Sequence, residues 1–384
     1  MRENLTESIR EKARENGFEM CRIARVGVGE LHRKGLSDWV QSGMHGDMAW
    51  MAEKERLARR KNPESMLDGV KSVISLGMRY SPPPYALPEA NAARSRGVIS
   101  AYAHGDDYHE VMKKRLKLLA CDLDGLLGAH DQRVYVDTAP VLEHAFAETS
   151  GLGWQGKHSL TLNRQYGSWF LLGEIFTTAD LAPDTSANFH CGSCTACIDV
   201  CPTKAIVAPF SVDARLCISY LTIEFKGFIP HRLRPLIGNR IYGCDDCQLV
   251  CPWNGDADMP DDDILKPRGE NIFPELVMLL RLDETGFRER FRKSPVKRTG
   301  RVAFLRNICI AMGNAGDVGF IPPLMQMLNN EAALLRAHSA WALARLAPAS
   351  KAVFIALQQA HAREKDQDAL ADMNITIEEL RKKT

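Results

Sequence analysis

The chain has 384 residues, enough for two or three domains of about 100–200 residues each. Its 49 Lys and Arg nearly cancel its 48 Asp and Glu, so net charge favours no partner class, and 45% hydrophobic with 25% charged residues excludes a disordered or collagen-like chain. No run approaches the roughly 18–20 apolar residues that span a bilayer, and MRENLTESIREKARENGF at the start has neither a signal peptide's apolar core nor a twin-arginine pair, which predicts a soluble, cytoplasmic protein.

Residues 1–180 read as mixed helix and strand. Short apolar runs predict strands at Glu19–Val26, Ser72–Met78, Arg133–Val136 and Ser168–Phe176, with helices Tyr108–Leu127 and Ala139–Thr149 between them. Ser81–Ala93 carries four prolines and reads as a surface loop. Asp137 stands at a strand's end, just before a helix with Pro140 near its first turn. Two readings stay open for it: a helix cap, or an acid at the lip of a cofactor cleft, kept protonated by burial.

The stretch from Gly151 to Gly156 is formally G-x-G-x-x-G, but it follows a predicted helix and leads into strand-like chain. A dinucleotide site needs the reverse order, so that pyrophosphate meets a helix N-terminus. A Rossmann site is rejected. The loop either brings backbone N–H groups to another cofactor or is only a tight turn.

Eleven cysteines are the unusual feature, eight of them within the 61 residues from Cys191 to Cys251. In a reducing cytosol, clustered thiols serve metal or redox chemistry more often than disulfides. Cys191-x2-Cys194-x2-Cys197-x3-Cys201-Pro202 is the bacterial ferredoxin run, whose fourth cysteine reaches across to the other cluster. Cys217 and then Cys244-x2-Cys247-x3-Cys251-Pro252 form the second group. The crossing rule predicts Cys191, Cys194, Cys197 and Cys251 on one [4Fe–4S] cube, and Cys201, Cys217, Cys244 and Cys247 on the other. A two-zinc module is the alternative, but tetrahedral zinc sites seldom chain cysteines at x2, x2 and then place Cys-Pro at x3. Cys21, Cys121 and Cys309 lie in apolar periodic surroundings and are expected as buried core thiols.

From residue 263 the pattern is helical. Leu305, Ile308, Cys309 and Met312 form one apolar stripe, and Ile321, Leu324, Met325 and Leu328 form another. Leu305-Arg306 returns thirty positions later as Leu335-Arg336, as in stacked helical pairs; a plain helical bundle is the alternative. Between Arg281 and Arg306, nine basic residues (Arg281, Arg288, Arg290, Arg292, Lys293, Lys297, Arg298, Arg301 and Arg306) face three acids (Asp283, Glu284 and Glu289). Such a segment is either a solvated helical face or a phosphate-binding surface.

Several stretches together resemble the epoxyqueuosine reductases, which complete queuosine in tRNA. They are Gly105-Asp106-Asp107-Tyr108-His109, Val136-Asp137-Thr138-Ala139-Pro140, Gly153-Trp154-Gln155-Gly156-Lys157 and Tyr166-Gly167-Ser168-Trp169. The Cys191–Pro202 run, the six residues Cys217 to Thr222, the nine residues Ile237 to Asp245 and the helical tail complete the set. The ferredoxin run alone is shared by many redox proteins; the combination is specific.

The resemblance implies base-off cobalamin between an α/β domain and a two-cluster domain, with the clusters feeding electrons to cobalt. It implies Asp137 as the proton donor to the oxygen as the epoxide C–O bonds break, which calls for an upward-shifted pKa. It assigns cofactor contacts to Arg60, Ser100, Asp137, Lys157, His158, Ser168, Ser219, Thr222, Cys244 and Asp245. The run Arg59-Arg60-Lys61 leaves the first of these within one position, and His158, where asparagine also occurs in the family, is not read as an axial ligand. With a tRNA substrate implied, Lys297, Arg298 and Arg301 are expected on the anticodon stem, with the wobble base splayed into the cleft.

The expected architecture is α+β: a cobalamin-binding α/β domain over 1–185, a ferredoxin-like domain with two [4Fe–4S] clusters over 186–262, and a HEAT-like helical, tRNA-contacting domain over 263–384. The expected reaction is reduction of epoxyqueuosine to queuosine at the tRNA wobble position. A flavodoxin- or ferredoxin-type donor would supply electrons to a monomer that uses no membrane. Two rivals are a cobalamin-dependent reductive dehalogenase, disfavoured by the missing export signal and the helical tail, and an iron–sulfur electron carrier without its own catalytic cofactor.

Overall fold

In the computed structural model, which describes residues 2–255, 260 and 265–382, four strands form one sheet. Their spatial order is Met20–Arg25, Ser72–Arg79, Phe170–Thr177 and Gln132–Tyr135, and every neighbouring pair is antiparallel. All four predicted strands are present with ends moved by one or two residues. The helix Tyr108–Leu127 starts on Asp107, whose side chain accepts the His109 amide. It buries Met112, Leu116, Leu119 and Leu123 at alternating steps of four, three and four, a single apolar stripe. Met112 and Leu116 meet the sheet at Gly173. Fully burying each such side chain contributes roughly 1.5–3 kcal/mol. Cys121, expected in the core, falls off this stripe and is exposed, whereas Cys21 and Cys309 are buried as expected.

The helix expected from Ala139 begins only at Glu143 and runs to Thr149. Asp137 therefore does not cap it: the N-cap position is Leu142, without a side-chain cap. Phe146 of this helix packs edge-on against Phe176 of the sheet, ring centroids 5.4 Å apart, within a cluster that includes Val73, Val141 and Ala145. The G-x-G-x-x-G loop leads from this helix into a hairpin of Trp154–Gln155 and Thr161–Leu162. A Cβ on Gly151 would lie 2.1 Å from the Thr185 carbonyl oxygen, and one on Gly153 2.3 Å from that of Leu162. Close backbone packing thus accounts for both glycines.

Two compact units emerge from the contacts, and each is drawn from separated segments. The first is Met1–Pro82, Gly105–Arg215 and Asp246–Lys266; the second is Pro83–His104, Leu216–Asp245 and Pro267–Thr384. This grouping differs from three successive domains because pairing ignores chain order. Within the second unit, for example, Val98–Ile99 pairs in parallel with Arg240–Tyr242. The boundary expected between residues 262 and 263 lies outside the described residues. Ser81–Ala93 is more than a surface loop, since it holds the helix Leu87–Ala92 with Pro88 in its first turn. Asn239 secures that helix by donating from Nδ2 to the carbonyls of Ala90, Ala93 and Arg96, and Tyr85 is buried in a stack on Phe273 with centroids 4.3 Å apart.

The second unit is otherwise helical. Arg301–Ala315 packs on Ala333–Leu346, which packs on Gln367–Arg381. Cys309 Sγ lies 3.4 Å from Ser339 Oγ, so the thirty-residue offset seen in the sequence recurs as a contact between helices. Among the described residues, no helix is long and apolar enough to cross a membrane.

Candidate active site

The segment after the strand Gln132–Tyr135 carries one of the positive-φ, non-glycine residues of the first unit. Asp137 has φ +34°, a left-handed conformation that costs a non-glycine residue of order 1–3 kcal/mol and persists only where surroundings enforce it. Here they do. The Asp137 amide donates to Glu143 Oε1 at 2.6 Å, and Arg56 Nη2 donates to the Thr138 carbonyl at 2.8 Å. Asp137 Oδ2 lies 2.7 Å from His109 Nε2, and His109 Nδ1 lies 2.6 Å from Asp107 Oδ1.

Burial works against a charged His109, but hydrogen bonds to Asp107 and Asp137 outweigh it and hold its pKa up at about 9. At neutral pH both ring nitrogens therefore donate to carboxylates. Burial, the cause expected to keep a proton at Asp137, acts on its neighbour instead. The Asp137 side chain is about half exposed (52%), while burial, reinforced by the Asp137 charge, pushes Glu143 up to about 8. Glu174, buried in the sheet, is raised well above the carboxylate range by burial and then by Glu143, and neither of its oxygens has a protein partner.

Arg60 closes the group. It is the buried member of its basic run, with Arg59 exposed. Its guanidinium lies 5.6 Å from the centre of the Trp50 ring. Burial and then Arg56 lower its pKa, while Asp137 and Glu143 oppose them. Its Nη1 has no protein partner. Sequence reading missed His109 and Glu143 as site residues. The alternation Asp107-x-His109 was a usable signal; Glu143, six positions beyond Asp137, gave none.

The second feature of this unit is a cavity lined by Cys191, Cys194, Cys197 and Cys251 together with Lys157 and His158, the quartet that the crossing rule selects. His158 Nδ1 accepts the Leu160 amide at 3.2 Å, and burial with help from His144 drops its pKa to about 4. The ring is thus neutral, its hydrogen is on Nε2, and Nε2 is buried without a protein partner. Four thiols and one spare N–H donor fit a thiolate-bound iron–sulfur cube, whose sulfurs take hydrogen bonds. Burial holds the Cys251 thiol up at about 11, so loading such a cluster must expel protons. Of the second quartet, Cys201 and Cys247 belong to the first unit, and Cys217 and Cys244 to the second.

Several expected cofactor contacts are engaged inside the protein. Lys157 Nζ donates to the carbonyls of Gly192 at 2.7 Å and Cys194 at 2.8 Å, pinning the cysteine loop. Ser168 Oγ accepts from Gln248 and Asn254, each at 3.0 Å. In the second unit, Ser100 Oγ donates to Asp245 Oδ1, the Ala101 amide to Asp245 Oδ2, and the Gly243 amide to Thr222 Oγ1 at 2.9 Å. Gly243 has φ +70°, and a Cβ there would lie 2.5 Å from that of Ser100. These side chains shape the Gly243–Asp245 turn. Ser219 sits half-buried on the adjoining helix Ile218–Ile223.

The basic segment is corrected in two places. Arg306 is fully buried and donates to the carbonyls of Leu221, Phe225 and Gly227. Arg301 is only 15% exposed and is directed at the Leu282 carbonyl, Glu284 and Glu331. Lys297 and Arg298 are exposed. Nearby, Arg268, Arg290, Arg292 and Lys293, with Glu270 and Glu289, line an open hollow of about 650 Å³.

The family model for the epoxyqueuosine reductase QueG domain matches residues 60–138, and that for a 4Fe-4S double cluster binding domain matches 190–254. The epoxyqueuosine reductase of Xanthomonas campestris is 44% identical over 340 residues, covering 88% of this chain and 95% of that relative. That of Escherichia coli is 41% identical over 354 residues, covering 92% and 93%. This chain belongs to the epoxyqueuosine reductase family. An epoxyqueuosine reductase solved with an epoxyqueuosine-modified tRNA-Tyr stem loop superposes with TM-score 0.90 at 29% identity, covering 99% of this chain and all of that one. The enzyme from Bacillus subtilis, solved with its catalytic aspartate loop swung out of the active site, gives 0.88 at 29% identity over 98% of this chain and 99% of that one. As an epoxyqueuosine reductase, the chain has its family-specific segment running from buried Arg60 to just past Asp137. The double-cluster domain encloses all eight clustered cysteines.

Proposed function

We propose that this chain reduces epoxyqueuosine to queuosine at the wobble position of tRNA, with Asp137 delivering a proton to the epoxide oxygen. The carrying observation is the half-exposed Asp137 carboxylate, held in a strained loop and bonded to a His109 that stays protonated to about pH 9. Two C–O bonds break and one C=C bond forms. The reaction consumes two electrons and two protons and releases water. Asp137 passes on protons that its neighbours hold, in keeping with general-acid catalysis worth about 10²–10⁴-fold.

The double-cluster domain relays single electrons, and an external flavodoxin- or ferredoxin-type protein supplies them. Base-off cobalamin is the proposed catalytic cofactor. Two buried donors of the first unit without protein partners, Arg60 Nη1 and Trp154 Nε1, suit the amide and phosphate acceptors that surround a corrin. When bound, cobalamin supplies a strongly reducing metal for epoxide opening. In the second unit Ser219, Thr222, Cys244 and Asp245 are assigned to it on the resemblance, with Ser100 supporting the turn. Residues 1–185, 186–262 and 263–384 are proposed to divide the work into cofactor binding, electron relay and RNA contact. The chain acts as a cytoplasmic monomer.

A relative was solved with a tRNA stem loop, and for the RNA we favour the exposed basic residues around Lys297 and Arg298 of this chain on the ground of their local charge. Affinity for an epoxyqueuosine-bearing stem loop, measured against salt, tests this. K297A/R298A should lower the slope of log affinity on log salt by about 2, because each phosphate contact contributes about one. An unchanged slope would place the RNA elsewhere.

A further inference from the structure

We propose that Glu143 is the positioning residue of the acid: its carboxyl fixes the amide of Asp137, enforces the loop that presents the Asp137 side chain, and holds a proton beside it. The inference rests on Asp137 being the proton donor, and adds a residue to that role.

The loop has a few internal hydrogen bonds, Ala139 N to the Val136 carbonyl and Val141 N to that of Ala139 among them. Asp137 sits at φ +34°, and from Val136 to Leu142 no regular element supports it. Three side chains from three directions fix it. His109, on the helix Tyr108–Leu127, takes the carboxylate; Arg56, on the helix Lys54–Lys61, takes the Thr138 carbonyl; Glu143 takes the Asp137 amide. Of these three, Glu143 acts on the strained residue's own backbone. At 2.6 Å this bond is at the short end of N–H···O contacts.

Its surroundings also make it a proton partner. The charged and titratable groups around this pair are Arg56 and Arg60 on one helix, His109 with Asp107 behind it on another, His144 on its own helix, and Glu174 in the sheet. Burial keeps His144 neutral, with a pKa near 4, and Glu174 is raised well above its usual range. Burial and the Asp137 charge carry the pKa of Glu143 to about 8, against the hydrogen bond from the Asp137 amide and then the cations His109 and Arg60, which lower it. Glu143 therefore keeps its proton up to about pH 8. Two protons are consumed per turnover, so a proton held beside Asp137 serves the chemistry directly.

The test uses the full chain, loaded with clusters and cobalamin, in single turnover on an epoxyqueuosine stem loop across pH 5.5–9.5. E143A should lose about 10–100-fold in rate, with stem-loop affinity and iron content retained. E143Q, which keeps an amide acceptor, should run about tenfold faster than E143A at pH 6, and its alkaline limb should fall at least one pH unit below that of the unsubstituted chain. In cofactor-free protein, the ¹³C signal of the Glu143 carboxyl should titrate near pH 8. An E143Q limb that does not move, or a Glu143 signal titrating near its ordinary value of about 4.5, would overturn the inference. Failure of the underlying reading has a different signature: D137N would then turn over like the unsubstituted chain.

Discussion

The acid loop and the cysteine cavity lie in one unit and each is built around a histidine, yet the two rings are driven in opposite directions. His109 has carboxylates on both nitrogens and stays charged to about pH 9; His158 is sealed among apolar atoms and thiols and stays neutral down to about pH 4. The difference teaches that partners, and not burial alone, decide which state a ring adopts. It also separates the tasks. In the proposed function, the first region would hold protons for the substrate oxygen and the second would hold the cube that passes electrons.

The largest way to break the contrast is at the cavity. C251S should remove one cube, reducing iron from about eight to about four per chain and abolishing turnover, with the Asp137–His109 pair left intact. Iron unchanged at about eight would take Cys251 out of the predicted quartet. A smaller effect is expected at the other histidine. H109Q should slow the proton-dependent step by roughly 10–100-fold and leave iron content alone; an unchanged rate would remove His109 from the proton store.

Stability against pH sharpens the comparison further, with opposite signs. His109 has a folded pKa above its unfolded value, so its contribution is complete below about pH 6.5 and is lost as pH rises through about 9. His158 has a folded pKa below its unfolded value, so its contribution is lost as pH falls from about 6.5 through 4. Each flank should amount to on the order of 2 kcal/mol, read as a falling Tm on both sides of neutrality. H109Q should flatten the alkaline flank and H158F the acid one. The smallest effect is spectroscopic: in the cofactor-free protein, ring signals of His109 should titrate near 9 and those of His158 near 4.

Much of this was legible in the sequence because its signals are local. Cysteine spacing alone selected the four thiols that line one cavity, and apolar periodicity located Tyr108–Leu127 to the residue. What could not be read was set by tertiary contact. Arg306 looks like one more surface cation until its guanidinium is seen bonding three carbonyls inside the helical unit, where burial takes it down to about 9. Nor could the sequence show that Lys157 clamps the cysteine loop through the Gly192 and Cys194 carbonyls. The helix expected at Ala139 yielded four residues to a strained loop. Local preference is overridden there by the site, as is usual where structure serves function.

In the proposed function, Asp137 is the point through which protons reach an epoxide oxygen. Its most direct test is single-turnover conversion of an epoxyqueuosine-bearing stem loop by the unsubstituted chain and by D137N, compared at equal iron and cobalamin content under a strong reductant. The account predicts queuosine from the former and a rate about 10²–10⁴-fold lower from the latter, with RNA binding retained. Equal rates from the two proteins would contradict it.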